Sequence, residues 1–135
     1  MARRIVCIDD SEFVINQLSR FFKETMGYDV VATGEDGCGA VELYREHQPD
    51  LITLDLTMPK KDGKEAIKEI IAEFPDAAIL VVSAKRGTPL MECLQLGARS
   101  YIEKPLRLRD REFVKDLKQT VADVLVNPAN QSKQQ

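Results

Sequence analysis

Dense apolar runs alternate along this chain with stretches in which apolar residues recur every three or four positions. Ile5-Val6-Cys7-Ile8, Leu51-Ile52-Thr53-Leu54 and Ile79-Leu80-Val81-Val82 are runs of the first kind. With the segments around residues 29 and 100 they predict five strands, over 3–8, 29–33, 51–55, 78–83 and 100–103. Successive Ile, Val and Leu leave neither strand face for water, which is the pattern of parallel strands covered on both sides. The second kind of stretch is helical. Val14, Leu18, Phe21 and Phe22 follow i, i+4, i+7, i+8, and Ile67, Ile70, Ile71 and Phe74 follow i, i+3, i+4, i+7. Val114, Leu117, Val121, Val124 and Leu125 form a third stripe, and Ala40, Val41 and Tyr44 predict a shorter second helix.

Turn residues divide the chain at the same places. Gly27 and Gly97 stand where the first and fourth helices need a left-handed closing residue. Asp62 with Glu65 gives a capping-box-like start to the third helix, and Pro49, Pro75 and Pro105 fall in connections. Repeating strand–helix units predict right-handed crossovers and an α/β, doubly wound, flavodoxin-like fold. Its five parallel strands are expected in the order 2-1-3-4-5, with five helices. That order places ligands at the carboxyl ends of the first and third strands. The domain is expected to span 1–126, with 127–135 a disordered polar tail or the start of a linker, since that stretch has no apolar anchor.

Composition narrows the functional classes. A chain of 135 residues predicts one domain with a single large core. A net charge of -3, with 30% charged residues, gives no general attraction to nucleic acid or anionic membrane. No region resembles a DNA-binding helix pair, so direct nucleic-acid binding is not expected. Cys7, Cys38 and Cys93 are odd in number and widely spaced, against a disulfide framework or zinc site and in keeping with a reducing cytoplasm. His47 is the single histidine, expected near a helix end and facing solvent, so paired-histidine chemistry is excluded. No apolar stretch is long enough to span a bilayer, and the first residues lack a signal-peptide core. The reading is a soluble, cytoplasmic protein without membrane contact.

The chemistry lies at the strand ends. The first strand runs into Asp9-Asp10, the third into Asp55, the fourth into Ser83, and the fifth into Lys104-Pro105. Each taken alone has an ordinary explanation: a helix cap, a strand-end acid, a surface lysine. Together they describe one site. Clustered carboxylates repel one another and offer the oxygen ligands that a hard cation such as Mg²⁺ takes. A lysine beside them supplies a point charge for a phosphoryl oxygen, a serine a hydrogen bond, and a carboxylate such as Asp55 a nucleophile.

In combination, Asp9-Asp10, Asp55-Leu56-Thr57-Met58-Pro59, Asp62-Gly63, Ser83-Ala84 and Lys104-Pro105 resemble the response-regulator receiver domains, of which the CheY-like single-domain proteins are the simplest. The resemblance covers about residues 3–126. It implies that Asp55 is phosphorylated from a histidine kinase or phosphotransfer protein. It also implies that Asp10 ligates Mg²⁺ directly, Asp9 through water, and the Thr57 carbonyl completes the set with Asp55. Lys104 and Ser83 would hold the phosphoryl group, and Tyr101 would turn inward as an aromatic switch. The surface of the fourth helix, fifth strand and fifth helix would then meet an output protein or a fused effector, and a phosphorylation-dependent dimer is left open. Such a chain is a phosphoacceptor signalling module, not an independent enzyme, beyond its own phosphorylation and dephosphorylation. It is either a stand-alone shuttle or the receiver of a longer regulator.

Thr57 and Lys85 overhang the pocket in that family and are read as tuning positions, with Lys85 acting on the attacking water or simply exposed. Met58 and Met91 are read as core or groove filling. The arginines of Arg107-Leu108-Arg109-Asp110-Arg111 oppose a helix dipole and so serve either as a solvated face or as a contact. Two other classes use a similar frame. A phosphatase of the haloacid dehalogenase type wants a second Asp where Thr57 stands, and a flavodoxin-like electron carrier wants a phosphate loop where Asp9-Asp10 and Glu12 stand.

Overall fold

The structure, a computed structural model, describes residues 2–58 and 61–126. Pro59, in the Met-Pro motif, and the stretch read as a tail lie outside the described residues. The elements follow in the order β1 Arg4–Ile8, α1 Glu12–Arg20, β2 Asp29–Gly34, α2 Gly37–His47, β3 Leu51–Leu54, α3 Gly63–Glu73, β4 Ile79–Ser83, α4 Thr88–Leu96, β5 Ser100–Glu103 and α5 Arg111–Val124. The strands are parallel and lie in the order β2-β1-β3-β4-β5, as the sequence predicts.

Both faces of the sheet are covered, and the two-residue strand period sorts each run between two cores. Val6, Ile8, Ile52, Leu54, Ile79 and Val81 pack with Ala40 of α2, Ile67 and Ile70 of α3, and Leu90 and Cys93 of α4. Ile5, Cys7, Leu51, Leu80 and Val82 pack with Val14 and Leu18 of α1 and Leu117, Val121 and Val124 of α5. This double burial is why the runs are continuous instead of alternating. Met58 fills the first core.

The structure departs from expectation in four places. The first helix does not stay α-helical, because residues Phe21–Met26 form a π-helical turn. A wider turn rotates the chain less per residue, so Phe21 and Phe22 both remain against the sheet, where both are buried. Gly27 then closes it at φ 71°, its N–H donating to the Phe22 carbonyl. The second helix is not short: α2 and α3 each have 11 residues. Gly97 has the expected positive φ, but at 124° it lies outside the left-handed helical region. Met91 is exposed, not filling the core. On α4 the inward positions are Leu90 and Cys93, and one residue's rotation carries Met91 to solvent.

His47 ends α2, as expected, and is half-buried, with its carbonyl accepting from Arg4 Nη1 at 2.7 Å. Arg107, Arg109 and Arg111 are exposed, with the Arg107 guanidinium over the Phe113 ring at 5.3 Å. Asp110 between them caps α5 through the N–H groups of Glu112 and Phe113.

All three cysteines are free thiols, and only Cys38 is exposed. Burial pushes the Cys7 thiol up to about 12, with the nearby Asp9 adding to the rise, and burial also raises Cys93. A thiol held un-ionised and out of solvent is inert. Under native conditions an aromatic disulfide reagent will therefore label Cys38 alone, and Cys7 and Cys93 only after unfolding. Fast native labelling of Cys93 would show instead that α4 detaches readily from the sheet.

Candidate functional site

Sheet order brings the acids together. β1 lies beside β3 with Ile8 opposite Leu54, so Asp9 and Asp55 follow at neighbouring strand ends. Their backbones remain tied to the sheet, Asp9 N–H donating to the Gly34 carbonyl at 3.0 Å and Asp55 N–H to the Ile8 carbonyl at 3.1 Å. Asp9 is 1% exposed and Asp55 5%, whereas Asp10 is exposed. One carboxylate oxygen from each of Asp9, Asp10 and Asp55 falls within 4.8 Å of the others.

Lys104 answers that charge from the far side of β4. Its N–H continues the β4–β5 ladder by donating to the Ser83 carbonyl at 2.9 Å. Its side chain then crosses the end of β4, with Nζ 2.8 Å from Asp9 Oδ2 and 3.6 Å from Asp55 Oδ2. Asp9 Oδ1 accepts from the Ser11 N–H at 2.9 Å. Asp9 Oδ2 is buried, and Lys104 Nζ approaches it at hydrogen-bond distance but without good alignment. The Asp55 carboxyl is held above its ordinary range, first by burial and then by the Asp9 charge. Lys104 and the Thr57 N–H oppose that rise, and Asp10 adds to it.

The other residues singled out in the sequence surround this cluster. Ser83 is buried at the end of β4, its Oγ accepting from the Lys85 N–H at 3.1 Å. Thr57 and Lys85 are exposed in the connections after β3 and β4. Tyr101 stands on the edge strand opposite Val81 and is 37% exposed, pointing to solvent and not to the acids. Two features were not foreseen. Arg86, in the β4–α4 connection, pairs with Glu103 at the end of β5 at 3.4 Å. Gly37 and Gly63 also press on the connection that follows Asp55. Gly63 belongs to the Asp-Gly motif, but nothing near Gly37 in sequence marks its contact.

Could these residues hold a metal ion? The donors are all carboxylate oxygens, with no imidazole or thiolate among them, and one buried oxygen lacks an aligned donor. That set suits a hard divalent cation of the Mg²⁺ type, and its mutual repulsion is what such a cation relieves.

Comparison with known proteins agrees with this frame. Residues 5–123 match the family model described as the response regulator receiver domain. The chain belongs to this family. It is 40% identical over 108 residues to the chemotaxis protein CheY of Bacillus subtilis, an alignment covering 79% of this chain and 89% of that protein. It is 34% identical over 114 residues to a protein-glutamate methylesterase/protein-glutamine glutaminase of Oleidesulfovibrio alaskensis, covering 83% of this chain but 31% of that longer protein. Among solved structures, a chain of the CheX-CheY-BeF3-Mg²⁺ complex of Borrelia burgdorferi superposes with a TM-score of 0.82 at 34% identity. That alignment covers 93% of this chain and 90% of the other. The response regulator domain of Thermotoga maritima CheB gives the same TM-score at 31% identity, covering 95% and 100%. The chain is thus a receiver of the two-component signalling class.

Burial of Asp55 next to Asp9 has a measurable cost. A carboxyl held above its unfolded value destabilises the fold once ionised; that loss is complete above the folded pKa and is relieved as pH falls toward the unfolded one. Without metal, Asp55→Asn will melt a few degrees higher than the wild type at pH 7, and the difference will shrink toward pH 4. Thermal melts in EDTA across that range check this, and equal melting at pH 7 would show that Lys104 already cancels the repulsion.

Proposed function

We propose that this receiver accepts a phosphoryl group on Asp55 from the phosphohistidine of a histidine kinase or phosphotransfer protein. The observation that supports it most directly is the Lys104 ammonium reaching both Asp9 and Asp55 inside a three-carboxylate cluster. An ordinary structural ion pair would not gather two further acids at one strand edge.

On this reading a carboxylate oxygen of Asp55 attacks phosphorus as the donor's P–N bond breaks, and the imidazole nitrogen leaves with the electron pair and takes a proton from solvent. Asp9, Asp10, Asp55 and the Thr57 carbonyl would hold Mg²⁺. When bound, that ion supplies neutralisation of charge on the phosphoryl oxygens. Lys104 stands ready to move its charge from the Asp55 carboxylate to a phosphoryl oxygen. Ser83 uses its oxygen to accept from Lys85, which leaves its O–H to donate to another. The group adds about -1.5 to -2 charge at the ends of β4 and β5. Closure of Ser83 and Lys104 on it biases the surface of α4, β5 and α5, including Met91, Leu94 and Tyr101, which are exposed. That surface carries the signal to an output partner, with Tyr101 turning inward. No helix among the described residues is long and apolar enough to cross a membrane, and we place the protein in the cytoplasm as a signalling module, not an enzyme with a released product.

Intact-mass spectrometry after incubation with acetyl phosphate will show a labile single-phosphate adduct on the wild type. It will be absent without Mg²⁺ and absent in Asp55→Asn. An adduct on the Asn variant would move the acceptor elsewhere. Lys85 is exposed beside Ser83 and sets the lifetime by perturbing the attacking water. Lys85→Ala will change the autodephosphorylation rate severalfold without changing the adduct, and an unchanged rate would make Lys85 ordinary surface.

A further inference from the structure

We infer that Gly37, the first residue of α2, is a positioning residue for the connection that carries Thr57. The inference rests on the Mg²⁺ site proposed above and adds to it an element, α2, that supplies none of its ligands. Gly37 is buried, and its backbone is not in the positive-φ region that calls for glycine. A cap from Asp36 already starts the helix, through the Gly39 N–H at 2.8 Å. Neither conformation nor capping therefore requires a residue without a side chain there.

Close approach does. A Cβ at Gly37 would stand 2.1 Å from the Lys61 carbonyl oxygen, 2.8 Å from its carbonyl carbon and 2.8 Å from its Cβ. The obstacle is mainly backbone, which cannot rotate aside as a flexible side-chain tip can. Lys61 adjoins Asp62, the cap of α3. On its inner side the same connection is fixed by Gly63, whose N–H donates to the Leu56 carbonyl at 2.9 Å. A Cβ at Gly63 would lie 2.5 Å from the Asp55 carbonyl oxygen. The described ends of the stretch after Asp55 are thus held by two glycines, Asp55 and Leu56 by Gly63 at the start of α3 and Lys61 by Gly37 at the start of α2. Adding a methyl group at Gly37 pushes Lys61 by about an ångström, since real Cβ contacts stay above 3.0 Å. Mg²⁺ demands near-octahedral geometry, so a shift of that size in the chain bearing the Thr57 carbonyl weakens binding steeply.

The test compares Gly37→Ala with Gly39→Ala, whose new Cβ would meet only Asp36 Oδ1 at 3.5 Å, an ordinary contact. Mg²⁺ affinity is read by amide chemical-shift titration, adduct formation from acetyl phosphate by intact mass, and metal-free stability by thermal melting. Gly37→Ala is expected to raise the Mg²⁺ dissociation constant about tenfold or more and to slow adduct formation similarly at fixed Mg²⁺. Its metal-free melt should remain cooperative, and Gly39→Ala should match the wild type. Unchanged Mg²⁺ affinity in Gly37→Ala overturns the inference while leaving the phosphoacceptor reading intact. A wild type that binds no Mg²⁺ overturns both. If Gly37→Ala does not fold, the wild type decides: its Gly37 amide must shift with those of Thr57 and Lys61 on Mg²⁺ saturation, and a silent Gly37 ends the idea.

Discussion

Two carboxylates buried side by side are the constraint around which this molecule is arranged. Asp9 and Asp55 are nearly inaccessible, and burial together with the Asp9 charge holds the Asp55 carboxyl above its ordinary range. Removing an unpaired charge from water costs several kcal/mol. The fold meets that cost with one ammonium, Lys104, brought from a strand that neighbours neither acid. The compensation is incomplete, because Asp9 Oδ2 gains a charge contact without an aligned hydrogen bond. A site left short of positive charge in this way suits a hard cation of the Mg²⁺ type.

The rest of the architecture can be understood as making that arrangement rigid where it must be and movable elsewhere. β1, β3 and β4 are buried throughout their apolar lengths, so the acids and Ser83 start from fixed backbone. The connections after them are tied by a few specific contacts: Ser83 to Lys85, Arg86 to Glu103, and the two glycines against the chain following Asp55. Ion pairs as open as Arg86–Glu103 contribute about 0–1 kcal/mol. Such ties can be rearranged by a new group of higher charge, which is what a switch between two states requires. On the proposed function, a stiff sheet edge with lightly held connections would separate chemistry at the strand ends from its reading at α4, β5 and α5.

Much of this is written locally in the chain. Continuous apolar runs such as Ile79-Leu80-Val81-Val82 specify strands covered on both faces, and a helical stripe such as Ile67-Ile70 specifies the layer that covers them. Short crossovers then admit few strand orders, and the observed one puts β1 against β3. Once β1 and β3 are neighbours, Asp9 and Asp55 must meet, because each follows its strand directly. Strand ends, sheet order and the acidic pair are therefore determined by the sequence itself, through periodicity and the placement of charge.

Tertiary structure alone decided the contacts between segments far apart in sequence. Nothing beside Lys104 in the chain says that its side chain crosses β4 to reach Asp9 as well as Asp55. Periodicity could not show that Phe21 and Phe22 would share the sheet through a π-helical turn, since that depends on the surface they face. Met91 satisfies an apolar count yet faces water, because α4 has room to bury only Leu90 and Cys93 on that side. Gly37 shows the limit most clearly: its sequence neighbours mark the start of a helix, whereas its lack of a side chain answers to Lys61, a residue on another connection. Local pattern fixes which residues form an element and which face is apolar, but excluded volume between elements exists only once they are packed.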